Sequence, residues 1–93
     1  MFVIAHHFIQ DPEPFWASAP DIIAAIPPHI KLHTVYPSKD MKTGTCVWEA
    51  PNSAEVQKLV DSMLGSMSRN VCYEVDEAAA IGLPQKAIKE ATF

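Results

Sequence analysis

The sequence predicts an α+β domain built in the order strand, helix, strand, strand, helix, strand, and three observations carry that order. FVIAHHFIQ (residues 2–10) is β-branched, aromatic and apolar on both alternating sets, as in a strand covered on both faces. The run from Gly44 to Glu55 passes from a strand ending at Glu49, through a Pro51 stop, into a capped helix start. Val56, Leu59, Val60, Met63, Leu64 and Met67 then recur at helical spacing, with Gln57, Lys58, Asp61, Ser62 and Ser66 opposite.

The first strand sets Phe2, Ile4, His6 and Phe8 on one face and Val3, Ala5, His7 and Ile9 on the other. Asp11-Pro12-Glu13 supplies a helix cap, a proline suited to the first helical position and an acid near the positive helix end. Ser18 with Asp21 resembles a second capping box, and Pro20 breaks or kinks the element before Pro27-Pro28 ends it. Residues 30–36 alternate again. Ile30, Leu32, Thr34 and Tyr36 share one face, and Lys31, His33 and Val35 share a wetter one.

Pro37 to Gly44 is rich in turn formers and joins two antiparallel neighbours, so a third strand runs from about Thr43 to Ala50. Asn52 with Glu55, or else Ser53, caps the long helix. Arg69-Asn70 ends the helical pattern, and NVCYEVD sets Val71, Tyr73 and Val75 against Cys72, Glu74 and Asp76 as strand four. Glu77 to Ile81, followed by Gly82 and Pro84, has the composition of one helical turn with a glycine exit. Residues 85–93 read equally as helix or as a frayed end.

This order is the ferredoxin-like split βαββαβ arrangement, a four-stranded antiparallel sheet with its helices on one face. The chain is too short for two domains, so residues 1–93 form one, with a core of about 2–76 and a C-terminal extension of about 77–93. Helices on one face leave the other bare, yet strands one and three are apolar on both. A homodimer through the sheet face is therefore expected, with the extension folding over its own sheet as the alternative.

Residues Cys46 to Glu55, with their strand-Glu-Ala-Pro-helix junction, and the later Glu74-Val75-Asp76 resemble the small nickel-responsive proteins of the dimeric α+β barrel superfamily. The resemblance spans about residues 2–76. It implies two sheets packed face to face in a dimeric α+β barrel and a cavity in each subunit for a small ligand or substrate. The nickel-responsive branch places histidines on the helix after the junction. Here its inward positions are Val60, Met63, Leu64 and Met67, which turns the expectation from a metal toward an apolar ligand.

Composition narrows the partners. Net charge is −4 with scattered cations, so no basic stripe recruits nucleic acid. The N-terminus meets His6-His7 long before a signal or membrane segment is complete, and a cytoplasmic protein with no membrane partner is expected. Cys46 and Cys72 match no zinc spacing and read as free, buried thiols. With strands three and four flanking strand one, they stand about 10 Å apart, too far for a disulfide.

His6 and His7, neighbours on a strand, point to opposite faces and cannot together hold one metal, so neither metal nor cofactor is expected. His6, His7 and His33 are the candidate proton carriers; which of His6 and His7 faces a cavity depends on strand-face parity. His33 and Glu74 form a candidate acid–base pair, and Glu49 a candidate anchor for backbone donors at the junction. The candidate ligand contacts are His6, His33, Trp48, Glu49, Met63, Met67 and Tyr73. Together these favour binding of a small apolar ligand, fatty-acid-like or an aromatic acid. The superfamily resemblance implies two alternatives, a cofactor-free monooxygenase or isomerase and a nickel-responsive protein, and a purely structural interaction module is a further one.

Overall fold

A computed structural model describes residues 1–88 of the chain. Its elements are β1 (Phe2–Ile9), α1 (Pro12–Ala17), α2 (Ala19–Ala24), β2 (Lys31–Pro37), β3 (Thr43–Glu49), α3 (Ser53–Leu64) and β4 (Ser68–Glu74). The strands form one antiparallel sheet in the order β2-β3-β1-β4. This small α+β fold is compatible with a ferredoxin-like arrangement. No helix among the described residues is long and apolar enough to cross a membrane.

β1 lies between β3 and β4, and Ala5 stands opposite Cys46 on one side and Cys72 on the other. A whole strand therefore separates the two thiols, and both are free. Val3, Ala5, His7 and Ile9 turn toward the helices and are buried there with Cys46 and Trp48. Val56, Val60 and Leu64 of α3, and Phe15 of α1, close that core. Burial of a valine or leucine side chain of this kind stabilises the fold by about 1.5–3 kcal/mol.

Asn52 is the cap of α3, its side-chain oxygen accepting the Glu55 N–H at 2.9 Å. The first two helices are capped differently from expectation. Neither Asp11 nor Ser18 makes a side-chain cap. Ser18 adopts helical backbone angles between α1 and α2, so its hydroxyl donates backward to the Phe15 carbonyl at 2.7 Å. Pro20 sits in the first turn of α2, where its missing N–H costs nothing.

α1 is held to the sheet by Trp16. Its indole N–H donates to the Met41 carbonyl at 2.9 Å, and Met41 presents that carbonyl from a left-handed backbone conformation, φ 66°. The ring lies across Gly44, where an added Cβ would come within 3.0 Å of it. Close approach of the Trp16 ring, rather than backbone angles, favours glycine here.

β2 departs from simple alternation. A bulge between Leu32 and Thr34 leaves Leu32 opposite Trp48 but Thr34 opposite Val47. Leu32 and Val35 consequently share the helix side, and the expected set of Ile30, Leu32, Thr34 and Tyr36 is split between the faces. α3 also stops at Leu64, so Met67 follows in a turn instead of occupying an inward helical position.

Beyond β4, Val75 N–H donates to the Phe2 carbonyl, and the Asp76 carboxylate accepts from Ala78 and Ala79 in a single turn. The glycine exit is at Gly82, φ 84°. Residues 85–88 are non-helical and return to the sheet; residues 89–93, which the sequence reads as helix or frayed end, lie outside the described residues.

Val60→Ala should lower the unfolding free energy by about 2 kcal/mol in urea titrations, through two lost methyl groups and the cavity they leave. Gly44→Val should cost about 1–3 kcal/mol by forcing Trp16 off the sheet, with a matching change in tryptophan fluorescence.

Candidate functional site

The parity of β1 decides which histidine meets the interior. His7 is on the helix side and only 1% exposed. His6 is on the outer side, where Nδ1 lies 3.0 Å from Thr45 Oγ1 and the ring stands edge-on to Phe8.

His7 forms part of the wall of a cavity of about 50 Å³ between the sheet and the first two helices. Trp48, Cys46 and Leu32 continue the sheet wall, and Phe15, Trp16 and Ile22 form the opposite one. Ile23, Leu32 and Val35 line both this cavity and an open groove of about 390 Å³ that runs along β2 past Ile26 and Ile30. The chamber and the groove thus share a wall, and Lys31, His33 and Thr34 add polar groups to the groove. α2, which carries Ile23, buries none of its six residues, so the wall that separates chamber from solvent is the one most easily moved.

One hydrogen-bonded chain fixes His7. Its Nδ1 is 2.7 Å from Asn70 Oδ1, which also accepts from the Ser68 hydroxyl at 2.7 Å. Asn70 Nδ2 donates to Asp61 Oδ1 at 3.0 Å. Gln57 completes the chain by donating to Asp61 Oδ2 at 2.9 Å and to the Asn70 carbonyl at 2.8 Å, while its oxygen accepts the Cys72 N–H at 3.1 Å. Gln57 and Asp61, which fall on the polar side of the helical pattern, thus grip the free edge of β4. Their i, i+4 spacing was the available signal, together with Ser68 and Asn70 on one face of a strand.

Burial pushes the His7 pKa down from 6.5; the Asn70 contact opposes this, and the neighbouring His6 adds to it. His7 is therefore neutral at pH 7. Trp48 is 2% exposed, and its indole N–H is buried without an acceptor. Burial also raises both thiols, Cys46 to about 12 with help from Cys72, and Cys72 to about 11 with help from Asp61. Neither thiol has the thiolate character of a nucleophile.

A second cluster occupies the outer face. His33 Nε2 donates to Glu49 Oε1 at 2.9 Å, with the two side chains 8% and 4% exposed. The same carboxylate accepts the Ala87 N–H at 2.9 Å and the Ile88 N–H at 3.1 Å. Burial alone would raise the Glu49 pKa, but the Ala87 N–H, His33 and the Ile88 N–H together hold it below the ordinary 4.5. The backbone donors that Glu49 anchors come from the C-terminal extension, not from the junction. Glu74, the expected partner of His33, lies instead on an exposed edge, where it accepts the Ser53 N–H at 3.4 Å. The bulge turned His33 toward Glu49.

Of the candidate ligand contacts, Trp48 lines the cavity and His33 lines the groove. Met63 and Met67 pack against the core without lining it, and His6 and Tyr73 belong to the outer face. His33 and Glu49 satisfy one another. His7, a candidate proton carrier, is the histidine that the fold places in a chamber. No group of three or more His, Cys, Asp or Glu positioned to hold a metal ion occurs among the described residues. Comparison with protein-family models, curated proteins and solved structures gives no match.

Stability should fall in two separate acid steps. His7 has a lower pKa folded than unfolded, so its contribution is complete above about 6.5 and declines as pH falls below that value. Glu49, also lowered, contributes fully above 4.5 and loses that contribution on further acidification. In urea titrations across pH, His7→Gln should flatten the first step and leave the second.

Proposed function

We propose that this chain binds a small, largely apolar molecule, with its head in the chamber beside His7 and its body in the groove along β2. One observation carries the reading: a buried histidine, held through Nδ1 by Asn70, stands on a cavity wall that is otherwise aromatic and aliphatic. Such a site gains affinity from apolar contact and orientation from one polar group. Ile22, Ile23 and Ile26 of the helical segment and Leu32 and Val35 of β2 supply the apolar contact.

The same His7 would be the proton carrier if the bound molecule is also converted, as the cofactor-free isomerase alternative requires. Recovery of a bound compound with its structure unchanged after incubation favours simple binding.

A second copy of the chain is the partner we infer for the outer sheet face. Among the described residues Phe8, Tyr36, Val71 and Tyr73 are exposed there, Tyr36 by 61% and Tyr73 by 54%, and Ala87 and Ile88 of the C-terminal extension meet the Glu49 end. Phe8 is covered in part by the Arg69 guanidinium, 4.2 Å from the ring centroid, and the other three present apolar surface that a second copy could cover.

Native mass spectrometry of the purified protein should show a co-purifying apolar compound, or uptake of Nile red with a change in the fluorescence of Trp16 and Trp48. Ile22→Trp should fill the chamber and abolish uptake; a wild-type protein that takes up no apolar probe overturns the binding reading. In sedimentation velocity, Val71→Asp should convert a dimer to monomer, and a wild-type monomer throughout the micromolar range would remove the self-association.

A further inference from the structure

The ligand's head group follows from the hydrogen-bonded chain behind His7, given that the chamber binds a small apolar molecule. A carboxylate only accepts hydrogen bonds, so the Asn70 atom 3.0 Å from Asp61 Oδ1 is the amide nitrogen. The Asn70 oxygen is then the atom that meets both His7 and Ser68. An amide oxygen also only accepts, so His7 Nδ1 carries the ring proton. Neutral His7 has one ring proton, so its Nε2 carries a lone pair, and His7 is part of the chamber wall.

We propose that the chamber selects a hydroxyl group: the ligand is a neutral phenol or alcohol with an apolar body, whose O–H donates to His7 Nε2. A carboxylate brings no proton to that lone pair and must lose its hydration among Phe15, Trp16, Ile22 and Trp48. An ether or ketone of the same shape fits the walls but leaves Nε2 unpaired. Only a group with a hydrogen to donate answers the histidine, and a hydroxyl keeps lone pairs free for the unpaired indole N–H of Trp48 on the same wall. The low pKa of buried His7 keeps Nε2 an acceptor at neutral pH.

Three para-substituted probes of one shape separate this inference from the binding reading on which it rests: 4-propylphenol, its methyl ether and 4-propylbenzoate, titrated by calorimetry at pH 7.5. The phenol should bind about 10- to 100-fold tighter than the ether, which is the effect of leaving one buried acceptor unpaired. The benzoate should bind more weakly than either. Equal affinity for all three, or preference for the benzoate, overturns the hydroxyl inference while leaving apolar binding intact; no uptake of any of them removes both.

His7→Phe should bring phenol and ether to equal affinity, and retained phenol preference in a folded variant would overturn the proposal. A measurement on the unaltered protein covers the case in which that variant does not fold. Nitrogen-15 spectra of the histidine ring should show His7 as the Nδ1–H tautomer, with Nε2 shifting on addition of 4-propylphenol. An Nε2–H tautomer, or an Nε2 unmoved at saturating phenol, would overturn it.

Discussion

The register of β1 is the constraint on which the rest of this molecule depends. β1 is paired on both sides, with His7 opposite Gly44 of β3 and opposite Asn70 of β4. A slip of one residue would exchange His6 for His7 and drive Val3, Ala5 and Ile9 to the outer face. Contacts at both ends oppose such a slip. Met1 and Ala50 exchange hydrogen bonds at 2.9 Å, Val75 binds the Phe2 carbonyl, and Ile9 N–H reaches the Lys42 carbonyl at 2.8 Å. The two cross-strand neighbours of His7 then divide its surroundings. Gly44 has no side chain, so Trp16 settles there and helps to wall the chamber; Asn70 brings the hydrogen bond that orients the ring.

Much of this was legible in the sequence because alternation and helical spacing are local signals. The apolar character of both faces of FVIAHHFIQ marks a central strand, and Asn52 with Glu55 marks the start of α3, where the side-chain cap is present. Features set by tertiary contact were hidden. The bulge in β2 adds a residue without a glycine or proline to announce it, and that addition carried His33 toward Glu49. Gln57 and Asp61 read as solvated helix positions, since sequence alone does not show that α3 passes the β4 edge and offers Asn70 and Cys72 as partners. Fold order survives such errors because it rests on the large apolar set; the identity of the site does not, because it rests on which single polar residues meet.

The two sheet faces treat buried polar groups in opposite ways. On the outer face a carboxylate remains charged because three donors converge on it, and the C-terminal extension is held there by backbone hydrogen bonds. Along that extension Ile81 is fully exposed, while Leu83, Pro84 and Ile88 are partly buried. On the helix face the polar group is neutral and only one of its two ring nitrogens is satisfied. Glu49 is satisfied threefold, whereas beside the apolar chamber the Trp48 indole N–H is buried without an acceptor and His7 is held through Nδ1.

Asp61 sets the hydrogen-bonding sense of the His7 ring. The residue sits on α3, away from the chamber, yet its carboxylate fixes the orientation of the Asn70 amide, and the amide fixes the His7 tautomer. Reversing the amide would place an N–H₂ group against Nδ1 and force the ring proton to the chamber side, turning the wall from acceptor to donor. Ser68 and Gln57 resist that reversal from either side, through the Asn70 oxygen and through the Asp61 carboxylate. A surface helix position therefore governs the chemistry of a buried one through two hydrogen bonds, and the same bonds fasten α3 to the edge of the sheet. On the proposed reading, stability and ligand choice are coupled because one set of atoms serves both.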